Sequence, residues 1–323
     1  MEPDEILLSR YGTLSSIPSP VNRMMAAFAE EFRDGIDINL GVGYVNERTI
    51  PRELIIEAQQ EVLRHPEKYR AALNYGGSRG SQNLIRSIRG YYLKRRIGGI
   101  DEELLDSKEI IIGPNGATSL LDGITHLLPP GIVITSDPIY YIYCNLLERA
   151  GFKVMPIPED SEGIRTDLLR ERIGELGESR GEISFVYIVT VSNPTGTILS
   201  NRRRKELVEI VADLSGDLGR KVPIFFDRAY EDLIHDPDAE KPLSGFLFDE
   251  LGIVYEIGTL SRVLAGEFCV HPAGEMVELG KRQMRISYGF EELEQIKRAI
   301  EYMREGVAYV KERADSGDRE ASR

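Results

Sequence analysis

The sequence predicts an α/β fold with a doubly wound, mostly parallel sheet. Short apolar runs recur at residues 110–113, 132–135, 153–155, 185–189, 224–226 and 254–257. Amphipathic stretches with helical spacing separate most of them, as at Leu120, Leu121, Ile124, Leu127 and Leu128. Strands that are apolar throughout and alternate with helices belong to a parallel sheet covered on both faces. Three of the runs also empty into polar turns, at Val191-Ser-Asn-Pro-Thr-Gly196, Asp227-Arg-Ala-Tyr230 and Gly258-Thr-Leu-Ser-Arg262. Polar groups at the carboxyl ends of such strands lie where open α/β sheets bind ligands.

In chain order, Ile17-Pro-Ser-Pro20 is expected to be an extended arm, because proline fixes its own φ and restricts the residue before it. Met24, Met25, Phe28 and Phe32 mark one helical face, closed by Asp34-Gly35, after which Ile36-Asp-Ile-Asn-Leu-Gly41 turns extended. Gly41-Val-Gly43 lacks the third glycine of a dinucleotide fingerprint and is readable as a plain turn. Pro51 suits the start of a helix, with Leu54, Ile55, Ala58 and Val62 as its buried stripe.

Gly113-Pro-Asn-Gly-Ala-Thr118 joins the first apolar run to a helix. Orphan N–H groups and the positive dipole end favour an anion there. No Gly-Lys-Ser/Thr follows, so it is not a P-loop. Further on, Arg202-Arg-Arg-Lys205 opens an amphipathic helix and reads as a solvated basic face. The last helix carries Leu293, Ile296, Ile300, Met303, Val307 and Val310, a stripe that needs a partner surface. The polar tail from Ala314 onward is expected to be disordered.

Composition narrows the function. With 323 residues and 41% hydrophobic content the chain can bury a substantial core. A net charge of −13 disfavours nucleic acid and anionic membrane surfaces as partners. No run has the length of a membrane span and no signal segment opens the chain, so the expected location is the cytoplasm. Cys144 and Cys269 are the only cysteines, which suits a reducing compartment, and the four histidines show no metal-ligand spacing.

Taken together, Asn193-Pro-Thr-Gly196, Asp227-x-Ala-Tyr230 and Thr259-x-Ser261 resemble, in order, the motifs of the class I/II aminotransferases, the pyridoxal-phosphate-dependent enzymes of fold type I. Leu73-Asn-Tyr-Gly-Gly-Ser-Arg-Gly80, Asp137-Pro-Ile-Tyr140 and Met284-Arg-Ile-Ser287 are similar to further elements of that family, and the resemblance covers about residues 36–310. It implies the fold type I sheet with a small C-terminal domain, here truncated. It also implies pyridoxal 5'-phosphate as cofactor, an amino acid and a 2-oxo acid as substrates, and a homodimer.

Residue by residue, the resemblance assigns the phosphate to Gly116, Ala117, Thr118 and Thr259, and ring stacking to Tyr140. Asn193 and Tyr230 match the donors to the phenolic oxygen, and Asp227 the carboxylate that keeps the pyridine nitrogen protonated. Tyr75 matches the tyrosine that reaches the neighbouring subunit's phosphate, while Gly41 and Arg285 match the substrate-carboxylate site. Plainer roles stand beside these: Asp227 as a helix cap, Tyr75 as a surface loop residue, and the aromatic-rich turn at Tyr140, Tyr141 and Tyr143 as packing alone.

The match ends at Arg262, where the family carries its Schiff-base lysine. A guanidinium stays protonated and is no carbonyl nucleophile, so no catalytic residue is assigned. Cys269 and Val270 stand where the family's second phosphate ligand, an arginine, is expected. Only residues 263–284 separate Arg262 from Arg285, where the family has a much longer segment. The expected organisation is an arm and helix over 1–45, a large cofactor-binding domain over 46–262, and a remnant of the small domain over 263–323. Two other readings remain: a lyase or decarboxylase on the same scaffold, and a non-catalytic chain that acts through binding.

Overall fold

Alternation along each strand decides which helical layer its side chains meet. The computed structural model describes residues 6–33, 36–40, 50–70, 72–234, 238–260 and 293–315. Among these, six strands form one sheet: β1 (Ile132–Asp137), β2 (Lys153–Asp160), β3 (Gly163–Ile164), β4 (Ile183–Val189), β5 (Ile224–Asp227) and β6 (Val254–Ile257). Their order in space is β3-β2-β1-β4-β5-β6. All neighbouring pairs are parallel except β2 with β3, a short antiparallel edge. Five of the six apolar runs read from the sequence are therefore strands.

Ten α-helices lie among the described residues: α1 (Arg10–Ser15), α2 (Pro20–Glu31), α3 (Arg52–Arg64), α4 (Gln82–Arg95), α5 (Glu102–Asp106), α6 (Gly116–Leu127), α7 (Tyr141–Arg149), α8 (Thr166–Glu175), α9 (Asn201–Leu218) and α10 (Leu293–Asp315). The sheet with α1 and α3 to α9 forms one compact unit, while α2 and α10 belong to a second. No helix among the described residues is long and apolar enough to cross a membrane.

In the first unit the sheet divides two apolar clusters. Ile132, Ile134, Val186, Ile188, Ile224, Phe226 and Val254 pack with α8 and α9 through Leu169, Ile173, Leu207, Val211 and Leu214. Val133, Phe185, Tyr187, Val189, Phe225 and Ile257 pack with α6 and α7 through Leu121, Ile124, Cys144 and Leu147. Odd and even positions separate as a period of two requires, except at Ile183, which joins the first cluster where the β1–β4 register shifts. Strand β4 is buried at every position, so each of its large side chains contributes about 1.5–3 kcal/mol of transfer free energy.

The chain leaves β1 outward to β2 and then returns to the other side of β1 at β4. The order thus reverses between β1 and β4, and the loops beyond these strands diverge. A crevice opens at such a switch point, outside the carboxyl ends of the strands.

Five local expectations need correction. Pro20 is not extended but the first residue of α2, and α1 lies within the expected arm. The stripe expected on α3 is not buried, with Leu54 63% exposed. Residues 110–113 are not a strand: Ile112 N donates to Arg79 O at 3.0 Å and Ile111 is 59% exposed. A strand exists only through a ladder with a neighbour, and this segment pairs with none among the described residues. Residues 36–37 turn rather than extend, because Ile36 N and Asp37 N donate to Arg33 O while the Asp37 carboxylate accepts from Arg33 N at 2.8 Å. Pro51 is the cap before α3, not its first helical residue. The tail from residue 316 lies outside the described residues.

Candidate functional site

Strand β5 ends in Asp227, which register sets opposite Val189 of β4 and Ile257 of β6. Asp227 follows Phe226, which faces α9, so its side chain turns to the α6 and α7 side. Tyr187, one step back on β4 and on the same face, donates its phenolic O–H to Asp227 Oδ2 at 2.7 Å. Ala229 N donates to Oδ1 at 3.0 Å. With only 4% exposure, this is a buried carboxylate served by a neutral phenol and a backbone amide. The Asp227 carbonyl accepts from both Thr190 N at 2.9 Å and Thr190 Oγ1 at 3.1 Å, locking the ends of β4 and β5 together.

Beyond β4 the chain makes a closed turn. Ser192 N donates to Thr197 O and Gly196 N to Ser192 O, each at 2.8 Å. Gly196 has φ of 74°, a conformation that disfavours any residue with a Cβ. The turn presents Asn193, whose Nδ2 donates to the Tyr230 hydroxyl at 2.8 Å. Thr195 braces the outside by donating to Glu159 Oε1 at 2.5 Å. Burial raises the Glu159 pKa, against the lowering effect of Thr195, Ser192 and Thr197.

On the other side of the switch point, Tyr140 caps α7. Tyr140, Ala117 and Tyr230 all pack against the cluster that contains Tyr143 and Tyr187. The first turn of α6 supplies Gly116, Ala117 and Thr118, and its cap Asn115 makes no side-chain hydrogen bond to it. Its leading N–H groups retain the anion-binding character of a helix start. Thr259 lies just beyond β6 and is half-buried. Tyr75 is 99% exposed and is not brought to this edge within one chain. Gly41, Arg262 and Arg285 lie outside the described residues.

Two tyrosines that the sequence reading left unassigned matter here. Tyr187 read as one more apolar strand residue, yet a buried phenol needs a hydrogen-bond partner, and period-two alternation puts it on the face of Asp227. Its pKa is raised well above the ordinary value, by burial first and then by Asp227, so it remains a donor. The Tyr143 ring meets that of Tyr187 edge to face at 4.6 Å, and its buried hydroxyl has no hydrogen-bond partner among the described residues. Burial, followed by the charge of Asp227, raises its pKa as well.

On the opposite face, the expected solvated cluster at 202–205 is only half solvated. Arg202 and Lys205 face solvent, but Arg203 and Arg204 are 6% and 0% exposed. Helical periodicity turns these two inward, where carboxylates meet them. Arg203 donates to Asp160 Oδ2 at 2.8 Å, and Arg204 to Glu231 Oε1 at 2.5 Å. Glu231 also accepts from Arg228 Nε, and Arg228 Nη1 donates to Glu256 Oε2, each at 2.5 Å. Ser244 Oγ and Gly245 N complete the shell around Glu256 Oε1. Burial alone would lower the Arg228 pKa; Glu256 and then Glu231 outweigh it and leave the guanidinium firmly charged. The site face and this ion network therefore sit on opposite sides of one backbone segment, 227–231.

The donor set suits pyridoxal phosphate. A buried carboxylate that accepts from a phenol and a backbone amide matches a protonated ring nitrogen, an uncapped helix start matches a phosphate, and an amide beside a phenol matches a phenolate oxygen. Among the described residues, no cluster of His, Cys, Asp or Glu could hold a metal ion.

A family model described as aminotransferase class I and II matches residues 35–265. The chain is similar to aromatic-amino-acid aminotransferase 1 of Thermococcus litoralis, 30% identical over 72% of this chain and 52% of that protein. It is also similar to an uncharacterised HTH-type transcriptional regulator of Bacillus subtilis, YisV, 24% identical over 83% of this chain and 52% of that one. In fold it resembles the kynurenine aminotransferase of Pyrococcus horikoshii, crystallised with PMP, at a TM-score of 0.65 and 24% identity, over 78% of this chain and 58% of that one. The chain spans about half the length of the curated relatives it matches.

Proposed function

This chain belongs to the aminotransferase class I and II family, and from that premise we propose that it binds pyridoxal phosphate at the β1–β4 edge and exchanges amino groups between an α-amino acid and a 2-oxo acid. The buried Asp227 carboxylate, held by Tyr187 at the end of a central strand, carries the reading. Bound there, the cofactor supplies the electron-withdrawing ring that such chemistry needs.

Each residue then has a task. The N–H groups of Gly116, Ala117 and Thr118 with the Thr259 hydroxyl hold the phosphate, and Tyr140 covers one face of the ring against water. Asn193 and Tyr230, already joined to each other, grip the phenolic oxygen. Asp227 keeps the proton on the ring nitrogen. Gly41 and Arg285 receive the substrate carboxylate, and Tyr75, fully exposed in one chain, completes the partner's phosphate site in a homodimer. Residues 46–262 form the cofactor-binding domain, between an arm over 1–45 and a reduced small domain over 263–323. The setting is cytoplasmic amino-acid metabolism.

A second reading rests on Arg262, which stands where the family has its lysine. In it the same pocket binds the cofactor without turnover and acts through binding, as suits a chain that also resembles a transcriptional regulator. One experiment separates the two. The full chain is supplied with pyridoxal phosphate and a panel of α-amino acids, and mass spectrometry follows the 2-oxo acids and the amine form of the cofactor. Matched production of both supports amino transfer; saturable binding without either supports the second reading; absence of binding overturns both.

A further inference from the structure

We propose that Tyr187 is a positioning residue for the ring-nitrogen site: its phenol fixes the Asp227 carboxylate and preserves its negative charge for the cofactor. The inference rests on the proposed cofactor site and goes beyond it by assigning a residue that lies behind that site.

Tyr187 is completely buried on β4 and reaches Asp227 Oδ2 across the gap between two parallel strands at 2.7 Å. Register pairs Tyr187 with Phe225 and Val189 with Asp227, so the hydrogen bond runs diagonally along one face. Tyr143 of α7 meets the Tyr187 ring edge to face, and Tyr140 packs against the same cluster. The phenol therefore cannot swing away without disturbing three packed elements.

The chemistry favours a neutral donor at this point. A histidinium or arginine in the same place would neutralise Asp227 and compete with a protonated ring nitrogen. A phenol lowers the free energy of the carboxylate by donating one hydrogen bond and leaves its charge intact. An ionised carboxylate offers about four acceptor positions, and Tyr187 and Ala229 N each take one. Burial and the charge of Asp227 both oppose ionisation of Tyr187, so the donor persists across the working pH range. Loss of that donor removes the bond that fixes Asp227 Oδ2.

The test compares pyridoxal phosphate with its 1-deaza analogue, in which carbon replaces the ring nitrogen, as ligands of the full chain. Dissociation constants are measured by equilibrium dialysis for the wild type, Tyr187→Phe and Tyr187→His. In Tyr187→Phe, pyridoxal phosphate is expected to bind roughly tenfold more weakly while the analogue is unchanged. Tyr187→His, which sets an ionisable imidazole against Asp227, is expected to lose the preference as well. Equal weakening of both ligands, or no change in either, would overturn the proposal and leave Tyr187 a packing residue. If the wild type bound both ligands equally, the role of Asp227 would fail with it, and if it bound neither, the cofactor reading itself would fail. Should Tyr187→Phe not fold, Tyr187→Met removes the donor at similar bulk and is judged by the same ratio.

Discussion

Arg228 and Glu256 form a buried ion pair at 2.5 Å, with both side chains 6% exposed, directly behind the strand end that carries Asp227. Arg228 N also donates to Ile257 O, so backbone and side chain together tie β5 to β6. Removing Arg228 leaves Glu256 buried without its cation, which costs about 3–5 kcal/mol, whereas removing Glu256 leaves Arg228 its second partner, Glu231. Arg228→Ala is expected to lower stability by about that amount in urea unfolding, and Glu256→Ala by less. The double variant should lose less than the sum of the two. Strict additivity would show that the pair is not coupled.

The same network gives stability a defined pH dependence. Burial would raise the Glu231 pKa, but Arg228 and Arg204 outweigh it, and the net shift is downward from 4.5. A carboxylate depressed in the folded state contributes stability above its unfolded pKa and loses it as pH falls through the folded one. Glu231→Gln should therefore be clearly less stable than wild type at pH 7, with the gap closing below about pH 4.5. Unfolding midpoints from pH 7 to pH 3 measure that gap. A constant gap would contradict the assignment.

Cys144 offers a chemical probe of the α7 packing. Burial, and after it Glu148 and Asp137, push the thiol up to about 12. Since the thiolate is the reactive form, roughly one thiol in ten thousand is ionised at pH 8. Alkylation followed by peptide mapping should leave Cys144 unmodified in the native chain and label it in denaturant. Prompt native labelling would mean that α7 opens readily.

Much of this was legible from residue pattern alone, and what was not has physical causes. The runs ending at Val189, Phe226 and Ile257 declared their strands because full burial permits only apolar side chains there. Asn193, Asp227 and Tyr230 announced themselves as polar residues at strand ends, and the structure brings Asn193 to Tyr230. Residues 110–113 read as a strand because apolar content reports burial but not the presence of a pairing neighbour. Arg203 and Arg204 read as solvated because their carboxylate partners, Asp160 and Glu231, are distant in sequence. Tyr187 was hidden by its ring, which satisfies an apolar pattern while its hydroxyl serves a different strand.

Arg262 makes a covalent prediction. With pyridoxal phosphate and borohydride the chain as it stands should yield no stoichiometric label at an active-site lysine, whereas Arg262→Lys should yield one at position 262. Turnover in that variant is expected to stay far below that of an intact family member, since about 1 Å of misplacement can cost roughly a hundredfold. Turnover within tenfold of such an enzyme would show that the residues absent between 262 and 285 are dispensable.

The most direct measurement is the affinity of the full chain for pyridoxal phosphate with and without the Asp227 charge. Wild type should bind one equivalent saturably. Asp227→Asn, which keeps the shape and hydrogen-bonding reach of the side chain, should bind at least roughly tenfold more weakly while still melting cooperatively. Equal affinity in the two proteins, or no saturable binding by the wild type, would contradict the placement of the cofactor at the β5 end.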